Sequence, residues 1–67
     1  MEPPDLDAAC HWYERAADVG NPEAMCILGY LYAERMQPPD LEAARHWYER
    51  AADAGNSTAM YNLAVMV

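Results

Sequence analysis

The chain has 67 residues, enough for one small domain that leaves roughly 40% of its unfolded surface exposed after folding. Four Lys and Arg against eleven Asp and Glu give a net charge of −7, which argues against nucleic acid as a partner because phosphate binding needs clustered positive charge. No apolar run approaches the roughly 20 residues that span a bilayer, and the N-terminus lacks the features of a secretory signal, so we expect no membrane insertion.

Local signals along the chain divide it into helices. Thirteen Ala, no Phe and only five Ile, Val and Thr in total favour closely packed helices over sheets. Asp5 and Asp40 each follow a Pro-Pro pair and can cap the start of a helix. Gly20 and Gly55 can end a helix in the left-handed conformation, and the Asn after each can cap the next one. The sequence therefore predicts two antiparallel helical hairpins, with helices at about 5–19, 22–36, 40–54 and 57–66.

An internal repeat determines how these helices are organised. Shifting the chain by 35 residues aligns 67 − 35 = 32 pairs, of which 20 are identical. The longest shared stretch is His11–Asp18, which recurs as His46–Asp53. A period of this length is typical of a solenoid, in which each unit buries its apolar face against its neighbours. We therefore predict an all-α, right-handed α-α solenoid.

Apolar residues at steps of three and four give each helix one stripe that is predicted to be buried. Small residues let the helix axes approach, while Trp and Tyr are expected to fill the space between hairpins. The predicted stripes are Leu6, Ala8, Ala9, Trp12, Tyr13, Ala16 and Ala17; Met25, Leu28, Gly29 and Tyr32; Leu41, Ala43, Ala44, Trp47, Tyr48, Ala51 and Ala52; and Met60, Leu63 and Ala64.

The repeated residues resemble the Sel-1-like repeat, a relative of the tetratricopeptide repeat. Its first-helix pattern, A-x-x-x-L-G-x-x-Y, is matched from Ala24 to Tyr32. Its second-helix pattern, D-x-x-x-A-x-x-W-Y-x-x-A-A-x-x-G, is matched from Asp40 to Gly55 and again from Asp5 to Gly20. The resemblance implies that 1–20 is the second helix of a partial repeat, 21–55 a complete repeat and 56–67 the first helix of a further partial repeat.

The sequence departs from the family pattern between the two helices of the complete repeat. The usual G-x-G-V stretch is replaced by Ala33–Pro39, so we expect either a longer helix or a tighter connection. Neither end carries a polar capping helix of the kind that usually closes a solenoid.

Catalytic and metal-binding signals are weak. The antiparallel partner of Cys10 should lie near Leu31, about five residues from Cys26, and this offset exceeds the reach of a disulfide, so both thiols are predicted to be free. His11 and His46 lack further converging ligands, and we expect half-exposed histidines rather than a metal site. No nucleophile–base pair, phosphate-binding loop or cofactor motif is visible. We therefore expect no enzyme and no cofactor.

Positions that differ between the two copies are better candidates for binding, because matched positions are needed to hold the hairpins together. They include Cys26 against Tyr61, Ile27 against Asn62, Gly29 against Ala64 and Tyr30 against Val65. In tetratricopeptide arrays the first helix lines the concave groove. By that resemblance the predicted binding face consists of Glu23, Cys26, Tyr30, Ala33, Glu34, Thr58, Tyr61 and Val65.

An acidic rim and an aromatic floor on this face would suit a protein or peptide segment that carries Lys or Arg. The resemblance thus favours a protein–protein interaction module or adaptor. Two alternatives stay open: Tyr30 and Val65 only pack under a neighbour, in a structural spacer, or the chain self-associates through its uncapped ends. A hydrolase, by analogy with some relatives, is least expected. Free thiols favour the cytoplasm.

Overall fold

The structure, a computed structural model, describes residues 6–66 and, for Leu6, the backbone alone. It contains four helices and, within these residues, no strand. They are α1 (Leu6–Asp18), α2 (Pro22–Tyr30, continued by a π-helical segment, Leu31–Arg35), α3 (Leu41–Asp53) and α4 (Ser57–Met66). The predicted all-α fold is confirmed, and the helix ends predicted within the described residues agree with the structure to within about one residue. The predicted cap at Asp5 lies outside the described residues.

Two glycines make the tight turns that end α1 and α3. Gly20 has φ of 95° and Gly55 has φ of 97°, in the left-handed region that only glycine adopts without cost. The N–H of Asn21 donates to the carbonyl of Ala16 at 3.1 Å, and the matching bond follows Gly55. These bonds satisfy carbonyls at the end of each helix and reverse the chain direction within two residues.

Side-chain caps fix where three of the helices begin. The Asn21 amide oxygen accepts hydrogen bonds from the N–H groups of Glu23 and Ala24, at 2.9 and 3.2 Å. Asn56 caps α4 through the N–H of Ala59 at 2.8 Å, and Asp40 caps α3 in the same way at 3.0 Å. Each cap removes unsatisfied donors from a helix start, typically worth about 1 kcal/mol.

The connection that lacks the family's G-x-G-V stretch is made by a longer helix, one of the two expected outcomes. After Tyr30 the helix widens into a π-helical turn, which ends with the N–H of Met36 donating to the carbonyl of Leu31 at 3.1 Å. The Tyr32 hydroxyl donates a hydrogen bond to the Glu14 carboxylate of α1. The end of α2 is therefore held against the preceding helix.

The helices pack in chain order: α1 against α2, α2 against α3, and α3 against α4. The inner helices α2 and α3 thus each have two main partners, whereas α1 and α4 each have one. One continuous core runs through the stack. Its buried members are Cys10, Ala17, Ala24, Met25, Leu28, Leu31, Ala44, Tyr48, Ala51 and Ala59.

Several predicted core positions are wrong because they lie on the outer helices or at a helix start. Trp12 is 63% exposed and Met60 50% exposed, since α1 and α4 each lack a second packed neighbour. Ala8 and Ala64 are also exposed. Leu41, at the first turn of α3, is 60% exposed. The predicted stripe of α2 is confirmed, with Met25, Leu28 and Gly29 buried and Tyr32 partly buried.

Tyr48 of α3 and Gly29 of α2 approach each other closely in the core. The tyrosine is only 4% exposed, and its ring lies flat enough on the glycine that a Cβ atom there would be 2.6 Å from Cδ1 of Tyr48. Real Cβ atoms do not approach other heavy atoms so closely. Glycine at this position therefore sets the distance between α2 and α3.

We predict that Gly29→Ala destabilises the fold. Overpacking against the buried Tyr48 ring should cost about 2 kcal/mol, and the higher helix propensity of alanine should return about 1 kcal/mol. The expected net loss, about 1 kcal/mol, can be measured by urea unfolding followed by circular dichroism. In a Tyr48→Leu background the ring is gone, so the same substitution should become neutral or stabilising. An equal effect in both backgrounds would contradict the contact.

Candidate functional site

The predicted binding face is accessible in the structure. Tyr30 is 46% exposed, Tyr61 69% and Val65 66%. The remaining members lie on α2, on its π-helical extension and on the first turn of α4. Glu23, Glu34 and Thr58 are exposed, and Cys26 and Ala33 are partly buried.

Part of this face forms a shallow depression between the beginnings of α2 and α4. Its volume is about 290 Å³, and it brings together Glu23 and Cys26 of α2 with Thr58 of α4. Ile27 and Asn56 complete the lining. A space of this size with exposed walls is small for a drug-sized ligand, and it suits a side chain of a docked segment better than an enclosed substrate.

Tyr48 links the rest of the face to the core. Its ring is buried against α2, and its hydroxyl forms a hydrogen bond with the side-chain amide of Asn62 on α4. Cys26, Glu34 and Tyr30 are close enough to affect its ionisation. Three predicted residues of α2 and its extension therefore lie within electrostatic range of one tyrosine hydroxyl.

The caps described above position the acidic end of this face. The hydrogen bond that the backbone N–H of Glu23 donates to the side-chain oxygen of Asn21 holds the first turn of α2 in place, and the Glu23 carboxylate interacts favourably with the positive end of the helix dipole. Asn56 likewise holds the first turn of α4, which carries Thr58, by accepting a hydrogen bond from the N–H of Ala59. Local sequence thus fixes two of the residues that line the depression.

Four residues of this region were not in the predicted set: Ile27, Tyr48, Asn56 and Asn62. Ile27 and Asn62 carried a signal, because they differ between the two copies. Tyr48 and Asn56 are identical to their counterparts and were interpreted as core and cap, which they are. A buried tyrosine can still use its hydroxyl to bond to a neighbouring helix, as Tyr48 does with Asn62, and sequence identity between copies does not reveal that contact.

Both cysteines are free thiols. Burial raises the pKa of Cys10, and the carboxylates of Glu14 and Asp7 raise it further. Burial also raises the pKa of Cys26. A raised pKa keeps the thiol protonated and therefore a poor nucleophile near neutral pH.

The two histidines lie on the exposed surface beside tryptophans. His11 contacts the edge of Trp12 at a ring separation of 5.7 Å, and His46 contacts Trp47 at 6.1 Å. Among the residues described by the structure, no group of three or more His, Cys, Asp or Glu side chains is arranged to hold a metal ion. Over the same residues, no helix has the length and apolar character that crossing a bilayer requires.

A pH-dependent stability is predicted from Tyr48. Burial raises the pKa of its hydroxyl above the ordinary 10.0, nearby Cys26 and Glu34 raise it further, and the Asn62 hydrogen bond opposes them. Above pH 10 the unfolded chain therefore loses this proton first, so the free energy of unfolding should fall as pH rises towards the raised pKa. Urea unfolding between about pH 8 and pH 11.5 measures the decrease.

Tyr48→Phe should remove its share of this decrease, and Tyr61→Phe, which alters an exposed tyrosine of α4, should retain it. An identical alkaline decrease in the wild type and in Tyr48→Phe would contradict the assignment.

Comparison with known proteins agrees with the repeat pattern and the helical architecture. The model of the Sel1 repeat matches residues 1–21, 22–56 and 57–67, which together span the chain. Comparisons with curated proteins and with solved structures gave no match. The stacked helices are those of a tetratricopeptide-like helical repeat. The chain therefore belongs to the Sel1 repeat family.

Proposed function

We propose that this chain is a protein-interaction module that binds a peptide or protein segment through the predicted binding face. Sel1 repeats are generally protein-interaction modules and the family is non-enzymatic, which supports binding rather than catalysis. The observation that carries the proposal is the exposure of Tyr30 and Tyr61 on helices whose other faces are packed. Exposed aromatic side chains are common anchors of protein interfaces.

The repeat limits are part of the proposal. We assign α1 to the second helix of a partial repeat within 1–20, α2 and α3 to a complete repeat within 21–55, and α4 to the first helix of a further repeat within 56–67. The binding face then lies on first helices only, α2 and α4. A partner that runs across it would contact both repeats at matched positions.

The partner's chemistry follows from the charge of the face. Glu23 and Glu34 are exposed at opposite ends of α2 and its extension, and the chain as a whole carries −7. A segment with Lys or Arg would be attracted to this surface, whereas nucleic acid would be repelled. Tyr30 and Tyr61 would supply apolar contact between the two carboxylates.

A second candidate is self-association through the outer helices, favoured by the exposed Trp12 and Met60. It uses α1, which carries no residue of the predicted binding face, and residues of α4 outside that face. A spacer without a ligand is the remaining alternative, and the binding experiments below distinguish it.

We predict that removing the two tyrosines strongly weakens peptide binding. The probe is an array of synthetic extended peptides with Lys or Arg at alternate positions, which face one side of an extended chain, and matched peptides with Glu instead. Tyr30→Ala with Tyr61→Ala should weaken the best binder at least about tenfold, as expected for hot-spot aromatics. Trp12→Ala, which removes an exposed aromatic from α1, is the control and should bind as the wild type.

If no Lys- or Arg-containing peptide binds more tightly than its Glu counterpart, the proposal is wrong and the spacer alternative is favoured. Binding that the tyrosine double variant leaves unchanged would move the site to another surface.

A charge-matched pair of variants tests the acidic rim. Glu23→Gln with Glu34→Gln and Glu42→Gln with Glu49→Gln each change the net charge from −7 to −7 + 2 = −5. Because Glu42 and Glu49 lie on α3 away from the predicted face, only the first pair should weaken the basic peptide, by about fivefold for two exposed ion pairs. Fluorescence anisotropy at low salt measures both. Equal weakening would show a general effect of net charge instead of a local rim.

A further inference from the structure

An open groove at one end of the molecule has a filled counterpart inside it. The outer groove, between α3 and α4, has a volume of about 590 Å³ and is lined by Leu41, Glu42, Arg45, Glu49, Leu63 and Met66. Subtracting the repeat of 35 residues gives the matched positions Leu6, Asp7, Cys10, Glu14, Leu28 and Leu31 of α1 and α2.

The filled counterpart is covered from within the chain: α3 packs on α2 and its extension, and Tyr32 of that extension bonds to Glu14 and lies near Cys10 of α1. Cys10, Leu28 and Leu31 are at most 8% exposed and belong to one buried cluster with Tyr48 of α3. In the outer groove Leu63 is only partly buried. The two grooves thus have matched positions and differ in what covers them, since among the described residues the outer groove has neither a following helix nor a counterpart of Tyr32.

Exposure along α4 shows which neighbour it lacks. Ala24 and Ala59 are matched and are both buried, at 3% and 0%, because each helix packs on the one before it. Met25 and Met60 are also matched, but Met25 is 6% exposed and Met60 50%. Among the described residues, therefore, no helix takes the place on α4 that α3 takes on α2.

The other end of the molecule exposes the matching surface. On α3, the residues Ala44, Tyr48 and Ala51 are 0%, 4% and 0% exposed, because they pack towards α2. On α1 no such helix precedes them among the described residues, and their counterparts are all partly exposed: Ala9, Tyr13 and Ala16.

We propose that α1 of a second copy of this chain docks in the outer groove and packs on α4 as α3 packs on α2. This inference rests on the self-association proposed above and names its interface. The second copy is the occupant because α1 and α3 differ at only two of 13 positions, Asp7 against Glu42 and Cys10 against Arg45. A helix that matches the one packed on α2 is thus available on the surface of every chain.

The interface is heterologous, since each copy offers one α1 and one outer groove. Such contacts repeat head to tail and, unless they close into a ring, form open chains of subunits. Because every copy carries −7, repulsion between copies should weaken the association at low salt and added salt should strengthen it.

One position limits the fit. The counterpart of Gly29 is Ala64, and the ring of Tyr48 lies so close to Gly29 that a methyl group there would clash. The incoming Tyr13 would meet the Ala64 methyl in the same way. The docked α1 must therefore shift outward, and the association is weaker than the internal packing of α2 on α3.

Substitutions at position 64 are expected either to strengthen or to weaken self-association. Ala64→Gly should strengthen self-association about tenfold by removing the clash, and Ala64→Arg should abolish it by placing a large charged side chain where the docked Tyr13 would lie. Ala64 is exposed, so neither change removes a core contact. Val65→Arg is the matched control, because the counterpart of Val65, Tyr30, stays 46% exposed although α3 is packed on α2. Sedimentation equilibrium up to about 1 mM covers affinities in the millimolar range.

A mixing experiment tests the head-to-tail geometry. Ala9→Arg blocks α1 and leaves the outer groove free, whereas Ala64→Arg does the reverse. Each variant alone should have the mass of one chain, and an equimolar mixture should form a dimer that grows no further. Circular dichroism of each variant confirms that it is helical.

Two results would overturn the proposal separately. If Ala64→Gly keeps the mass of one chain at the highest concentration, both self-association and this interface are wrong. If Ala64→Gly associates but Ala9→Arg associates equally well, or the mixture forms no dimer, self-association stands and the docking of α1 in the outer groove is wrong. Neither result depends on peptide binding.

Discussion

The packing of Tyr48 on Gly29 is the contact on which the rest of the structure depends. The glycine lets α3 approach α2 closely enough to bury Leu28 completely, and the tyrosine ring closes the centre of the core. The same side chain then reaches α4, where its hydroxyl bonds to Asn62. One residue thus joins three consecutive helices, and the spacing of the predicted binding face is set from inside the molecule.

Local chemistry made the helices predictable from sequence. A glycine with positive φ, an asparagine or aspartate cap and the Pro-Pro pair each act within a few residues of where they occur, so helix ends followed without knowledge of the fold. The repeat supplied the stacking order, because two near-identical units bury the same stripes against each other. The sequence signal for the π-helical turn at Leu31–Arg35 was less specific, because the missing family stretch indicated a longer helix but not its geometry.

Burial was harder to predict, since identical residues have different surroundings. The eight-residue stretch occurs twice, with Trp12 and Tyr13 in the first copy and Trp47 and Tyr48 in the second. Trp12 and Tyr13 are nevertheless more exposed, because among the described residues α1 has one packed helix fewer beside it. Periodicity reveals which side of a helix is apolar, but the number of neighbours decides how much of that side is covered. The same limit applied to the candidate site, where differences between copies indicated Ile27 and Asn62 while the identical Tyr48 was assigned to the core alone.

The two proposed surfaces can operate together because they use different sides of α4. Position 30 of α2 remains exposed although α3 is packed on that helix, and its counterpart, Val65, would remain exposed in the same way if a helix were packed on α4. Position 29 is covered in the existing contact, and Ala64 would be covered in the new one. Adding a copy at the outer groove would therefore lengthen the row of first helices without covering the predicted binding face. Each added copy would also bring further sites in line with the first, and linked sites of modest affinity bind an extended partner more tightly than one site does.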